Sequence, residues 1–260
     1  MSHSKEQLIN DLRELGICAG DTVLMHSSYK SLGGIDGGAK AFFEAFTQLL
    51  GAKGTLILPS LSFRFVRRET PEFDYYETPS CSGYLTEYFR TSVEGVLRSM
   101  HPTHSCCALG KHAKEIVENH ELDLTPVGEN SPFTKLPKYD GKILFLGCGT
   151  APNTSMHGVE ETAEPPYCID RENPIDYVLK KGDTVIKQRA FRHNFNTKDG
   201  HVNQCYSRIV DLLDENEVKF GKVLDAECCI MDAKAVWEKG HNMLVKDPLY
   251  FVDYPEKTEE

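Results

Sequence analysis

The stretch from Thr22 to Leu50 constrains the fold more than any other, because it runs in the order apolar strand, polar residues, glycines, amphipathic helix. Thr22-Val23-Leu24-Met25 reads as a short buried strand that ends in His26-Ser27-Ser28. The turn Gly33-Gly34-Ile35-Asp36-Gly37-Gly38 then leads into a helix. Phe42, Phe43, Phe46, Leu49 and Leu50 form its apolar face and Gly51 closes it. Thr55 to Pro59 follows as a second strand. This order resembles a phosphate cradle, in which backbone N–H groups at a helix start face an anion, and Ser27, Ser28 and Ser31 add hydroxyls suited to a pyrophosphate. Neither the Lys-Ser/Thr ending of a Walker loop nor GxGxxG is present, so the same order also describes an ordinary tight turn.

Around this unit the pattern continues to mix helices and strands. Leu8, Ile9, Leu12 and Leu15 fall at helical spacing with Gly16 as the stop. Ser60 to Ser82 shows no clean period and reads as a functional or connecting loop. Helices are expected from Gly83 to Arg90 and near His112 to His120, with a short apolar segment from Cys106 to Leu109 between them. Ile143 to Gly147 reads as a core strand, and Asn153 or Thr154 as the N-cap of a helix through His157 and Glu160. Alternation predicts a hairpin of Asp176–Leu179 and Thr184–Gln188 around Lys181-Gly182-Asp183. Gln204 to Glu217 reads as a helix, Val223 to Met231 as one strand, Ala233 to Leu244 as the last helix, and the acidic tail from Glu256 as frayed. Without an internal repeat or a long linker, residues 1–260 are expected to form one domain.

Composition narrows the partners. With 29 Lys plus Arg against 39 Asp plus Glu, the formal charge of −10 argues against nucleic acid, and Arg64-Phe65-Val66-Arg67-Arg68 is the one local basic cluster. The longest apolar runs are about a third of a membrane span, and the first six residues carry no signal core, so no membrane association is expected. Nine cysteines, an odd number with two adjacent pairs and no CxxC, fit a reducing, cytoplasmic setting in which they act as small core residues. Ten histidines without HExxH or a zinc-finger spacing give no expectation of a metal. The oligomeric state stays open.

Two constellations carry possible chemistry. His157 and Glu160 are three apart on one helix face, where a carboxylate accepting one ring N–H fixes the tautomer and raises the basicity of the other nitrogen. The same spacing also makes ordinary surface ion pairs, and Glu161 and Glu164 nearby suit a cation. His101-Pro102-Thr103-His104-Ser105 forms a fixed turn that can project an imidazole into a cleft. A nucleophilic Cys106 or Cys107 with His104 as base is disfavoured, because the apolar run implies burial.

Taken in order, His26-Ser27-Ser28 followed by Gly37-Gly38, His101-Pro102-x-His104-Ser105 and Asn153-Thr154-Ser155-x-His157-x-x-Glu160 resemble the aminoglycoside 3-N-acetyltransferases, and the similarity runs through Gly128-Glu129-Asn130-Ser131-Pro132-Phe133 over nearly the whole chain. The resemblance implies a three-layer α/β/α sandwich with a mixed central sheet. It also implies direct transfer of acetyl from acetyl-coenzyme A to a small-molecule amine, without an acyl-enzyme. His157 backed by Glu160 would be the general base, Thr154 a donor to the thioester oxygen, and His104 part of the catalytic set. His26, Ser27, Ser28, Tyr29, Ser31, Leu32 and Gly33 would hold the coenzyme, with Ser105 and Phe133 beside them. Asp74, in a matching Pro-x-Phe-Asp pattern, would contact the acceptor together with Glu161 and Arg64. The chain departs from the family in a short segment after the second strand, and Arg64, Arg67 and Arg68 sit there where a polycationic acceptor would want carboxylates. The acceptor is therefore expected to be an aminoglycoside or another amino sugar such as a nucleotide-linked one. A coenzyme-binding protein without transferase activity is the competing class.

Overall fold

The computed structural model describes residues 2–254, so the frayed tail expected from Glu256 lies outside the described residues. Helix α1 (Lys5–Leu15) begins where the Ser4 hydroxyl accepts the Gln7 N–H, and ends at Gly16, whose φ of 117° suits glycine. The strands are β1 (Thr22–Ser27), β2 (Thr55–Pro59), β3 (Glu72–Asp74), β4 (Leu97–Arg98), β5 (Cys106–Gly110), β6 (Lys142–Leu146), β7 (Ile175–Lys181), β8 (Thr184–Ala190), β9 (Asn196–Thr197), β10 (Gly200–His201), β11 (Asn203–Gln204), β12 (Val218–Val223), β13 (Ala226–Asp232) and β14 (Val252–Asp253). The remaining helices are α2 (Gly38–Leu50), α3 (Tyr84–Ser92), α4 (Ala113–Val117), α5 (Pro132–Lys135), α6 (Ser155–Ala163) and α7 (Ala233–Lys246). No helix among the described residues is long and apolar enough to cross a membrane.

The main sheet has seven strands in the order β12-β13-β6-β1-β2-β5-β4. Its centre is parallel, β1 pairing with β6 on one side and β2 on the other, and the flanking strands are antiparallel. Side chains alternate across it: Val23 and Met25 join the core under α1 and α2, whereas Leu24 joins the core that holds Met156 and Val159 of α6 and Val236 of α7. Helices thus cover both faces, as a three-layer α/β/α sandwich with a mixed sheet requires. Because the chain leaves β1 for β2 on one side and later returns to β6 on the other, the carboxyl end of β1 is a switch point, where open sheets of this kind leave a crevice.

Four expectations are corrected. The segment 60–82 is not all loop: β3 pairs in parallel with β7, about a hundred residues downstream, and buries Phe73 in a small core with Tyr177 and Leu179. The helix expected at Gln204–Glu217 is a 3-10 helix over Tyr206–Leu212, in which the spacing of Tyr206 and Ile209 matches the three-residue turn. The strand expected at Val223–Met231 starts later, as β13 (Ala226–Asp232), and pairs with an unexpected strand before it, β12 (Val218–Val223), across a turn at Leu224 with φ 53°. The helix near His112–His120 stops at Val117, and Asn119 with φ 65° resets the chain before a 3-10 turn.

Candidate active site

The site is assembled at the start of α6. Asn153, Thr154 and Ser155 are buried there, and the Asn153 side-chain oxygen accepts the Ser155 N–H at 3.2 Å, while Thr154 occupies the N-cap without a side-chain capping bond. Gly158 explains how closely α6 approaches α7, since a Cβ at that position would sit 2.3 Å from the Trp237 ring and 2.7 Å from Val127. The depth of α6 then fixes the position of His157.

His157 and Glu160 do not bond directly: Nδ1 stands 3.6 Å from Oε2, too far for a hydrogen bond. Tyr206 bridges them. Its hydroxyl donates to Glu160 Oε2 at 2.7 Å and lies 2.8 Å from His157 Nδ1, so with its own proton committed it accepts from Nδ1–H. Tyr167 donates to Glu160 Oε1 at 3.0 Å. The fully buried carboxylate thus has a phenol on each oxygen. Burial, reinforced by the Glu160 charge, pushes both tyrosines above the usual phenol range and keeps them donors. The chain Glu160–Tyr206–His157 holds the proton on Nδ1 and leaves the Nε2 lone pair without a partner among the described residues.

Two more imidazoles join it. The His193 ring stacks on His157 at 4.4 Å between centroids, and His104 meets both edge-on at 5.7 and 5.0 Å. His193 Nε2 lies 2.8 Å from Glu161 Oε1, which also accepts the Val127 N–H at 2.8 Å. Glu161 is therefore an orienting partner of His193, and burial raises its carboxyl to about 7. Burial holds His104 and His193 well below the ordinary imidazole range, and a charge on His157 would lower them further. His104 Nδ1 lies 2.9 Å from the Thr103 hydroxyl.

These three rings line a cavity of about 690 Å³ that also carries Phe63, Phe195, Arg67, Arg68, Arg192, Glu69 and Asp170. Arg64 lies over the Phe63 ring at 5.9 Å. Asp74 commits a carboxylate oxygen to its own turn, accepting the Tyr76 and Glu77 N–H groups at 2.8 and 2.9 Å. Cys106 and Cys107 are fully buried and burial raises both thiols, so neither offers a thiolate.

The residues expected to hold the coenzyme divide into two groups. At the carboxyl end of β1, Ser28 and Ser31 share a hydrogen bond of 2.8 Å, and Ser31 donates to the Gly147 carbonyl at 3.0 Å, joining the β1 and β6 ends. Gly147 has φ 69° and a Cβ there would lie 2.7 Å from Ser31, so only glycine lets these ends meet. His26 stacks on Phe145, and burial, then the nearby His157, lowers it to about 3. Ser27 and Gly33 are half-buried or exposed beside it, and Tyr29 is partly buried against Phe42 and Tyr84. Leu32, Phe133 and Ser105 lie deeper: the first two are core residues, and the Ser105 hydroxyl donates to the Ser60 carbonyl at 2.6 Å.

Sequence reasoning missed Tyr206, Tyr167 and His193. Tyr206 reads as one apolar face of a helix and His193 follows a hairpin with no motif around it, so neither carries a local signal.

A model of the aminoglycoside 3-N-acetyltransferase family matches residues 24–245. The chain belongs to that family. It is 30% identical over 245 residues to the SPbeta prophage-derived aminoglycoside N(3')-acetyltransferase-like protein YokD of Bacillus subtilis (strain 168), covering 86% of each chain. It is likewise 30% identical over 255 residues to aminoglycoside N(3)-acetyltransferase IV of Salmonella sp, covering 97% of this chain and 91% of that one. Among solved structures, a variant of aminoglycoside acetyltransferase AAC(3)-IVa in complex with gentamicin superposes with a TM-score of 0.81 at 27% identity over 98% of this chain and 93% of that one. The fold is also that of AAC-IIIb bound to CoASH, with a TM-score of 0.81 at 24% identity, covering 95% and 97%. As a member of the aminoglycoside 3-N-acetyltransferase family, the chain is an acyltransferase, and the cluster around His157 is its candidate active site.

Proposed function

We propose that this acyltransferase moves acetyl from acetyl-coenzyme A directly to an amine of an aminoglycoside or related amino sugar, with His157 as general base. The carrying observation is the Glu160–Tyr206–His157 relay, which leaves a lone pair at Nε2 on the wall of an open cavity. An ammonium has no lone pair, so His157 must first take its proton; the nitrogen then attacks the thioester carbonyl and the coenzyme leaves as a thiolate. Glu160, through Tyr206, stabilises the imidazolium formed, and Thr154 at the α6 N-terminus is the candidate donor to the carbonyl oxygen. The open end of β1, with Ser28, Ser31 and Gly33, is the candidate coenzyme site, supported by the relative bound to CoASH. Nine free cysteines fit work in the cytoplasm.

A second acceptor reading is favoured by one observation. Arg67, Arg68 and Arg192 outnumber Glu69 and Asp170 on the cavity wall, which suits an amine acceptor that carries a phosphate, such as a nucleotide-linked amino sugar, better than a polycation. Incubation with acetyl-coenzyme A and a panel of both amine types, read as free thiol, separates the two. His157→Ala should lower turnover by about 10²–10⁴ while coenzyme binding is retained. Coenzyme binding without thiol release for any amine would instead favour a protein that binds but does not transfer.

A further inference from the structure

We propose that His104, His157 and His193 together form a site for one zinc-class divalent transition ion, which competes with the base function of His157. One nitrogen of each ring lies within 4.8 Å of one from each of the other two. One nitrogen of each ring is engaged: His104 Nδ1 with Thr103, His157 Nδ1 with Tyr206, and His193 Nε2 with Glu161, at 2.9, 2.8 and 2.8 Å. This leaves His104 Nε2, His157 Nε2 and His193 Nδ1 without partners among the described residues. Imidazoles held on the far nitrogen by a carboxylate or a hydroxyl are the form that metal-ligating histidines take, because the outer partner fixes the tautomer and the ring orientation.

The rings stand on three separate segments: His104 is turned 87° and 89° from the other two, whereas His157 and His193 stack at 28°, so those two must tilt toward each other to share an ion. All three line the open cavity, which provides an entry path and room for a water at a fourth position. Zinc–nitrogen bonds of about 2.0–2.1 Å at tetrahedral angles set ligand nitrogens about 3.4 Å apart. Loading therefore draws the rings inward by up to about 1.4 Å, which side-chain torsions can supply. A donor set of three imidazoles selects zinc-like ions over magnesium or calcium, which take oxygen ligands. An ion on His157 Nε2 occupies the lone pair that would accept the amine proton, so the loaded chain is inactive and a chelator restores it.

The intact, reduced chain is titrated with Co²⁺, whose visible bands report tetrahedral coordination. One equivalent should bind with a spectrum free of sulfur-to-metal charge transfer and be displaced by Zn²⁺. His104→Ala and His193→Ala should abolish that band. Glu161→Gln, nearly isosteric and outside the ligand set, should weaken binding by about 10–100-fold, and a thermal melt confirms that it folds. Zn²⁺ should also stop thiol release, reversibly with chelator. No visible band with excess Co²⁺, a sulfur-type spectrum, binding unchanged in both Glu161→Gln and His193→Ala, or full turnover in a zinc-loaded chain would each overturn the proposal.

Discussion

Removing a single oxygen atom tests whether Tyr206 is part of the machinery or only part of the core. Tyr206→Phe keeps a ring that is 4% exposed, and deletes the hydroxyl that donates to Glu160 at 2.7 Å and lies 2.8 Å from His157. With the carboxylate 3.6 Å from Nδ1, no direct bond replaces the bridge unless a side chain moves. A hydrogen bond to a charged group is worth about 1.5–3 kcal/mol, and His157 carries charge only once it has taken the proton. The loss therefore falls on the transition state, and at about 1.4 kcal/mol per decade kcat/KM should drop about 10–100-fold. Tyr167→Phe supplies the control: it removes the other phenol from Glu160, at 3.0 Å, without touching His157. Both variants should lose stability by about 1–3 kcal/mol in urea melts, because each leaves a buried carboxylate oxygen short of a donor. Only Tyr206→Phe should lose most of its turnover, with Tyr167→Phe falling by less than about threefold, or about 0.7 kcal/mol. Equal losses in the two variants, or none in either, would refute the relay.

Two further expectations rest on packing and burial. Gly158→Ala places a methyl 2.3 Å from the Trp237 ring, so it should destabilise by about 1–3 kcal/mol and shift α6 enough to lower turnover; an unchanged melting temperature would mean that the helices part freely. Burial lowers His101 to about 3, so below its unfolded value of 6.5 the unfolded chain binds a proton that the folded one refuses, and stability falls with pH by about 1.4 kcal/mol per unit. Glu161, raised to about 7, acts in the opposite direction as pH falls from 7 towards 4.5, so the test is a difference between two chains. His101→Asn, which keeps an acceptor for the Thr103 and His104 N–H groups, should lose about 1.4 kcal/mol less than the parent chain between pH 7.5 and 5.5. Parallel pH slopes would show that His101 takes up its proton in the fold as readily as in the unfolded chain.

What the chain settles locally was legible in its sequence. The apolar stripe of α2, the stop at Gly16, the runs of β1, β2 and β6 and the start of α6 after Asn153-Thr154 depend on neighbours a few residues apart, where periodicity and glycine geometry act. That put His157 and Glu160 on one face of a short helix. The distance between them, and what fills it, was set by chain far away: Tyr206 arrives 46 residues after Glu160, and His193 is delivered 32 residues after Glu161. The same holds for β3, whose three residues have too little pattern of their own and become a strand only through pairing with β7. Side-chain chemistry was written in order along the chain, but a proton relay needs sub-ångström placement of groups that share no local period. Only the packing of the sheet, α6 and the loops over it decided that placement.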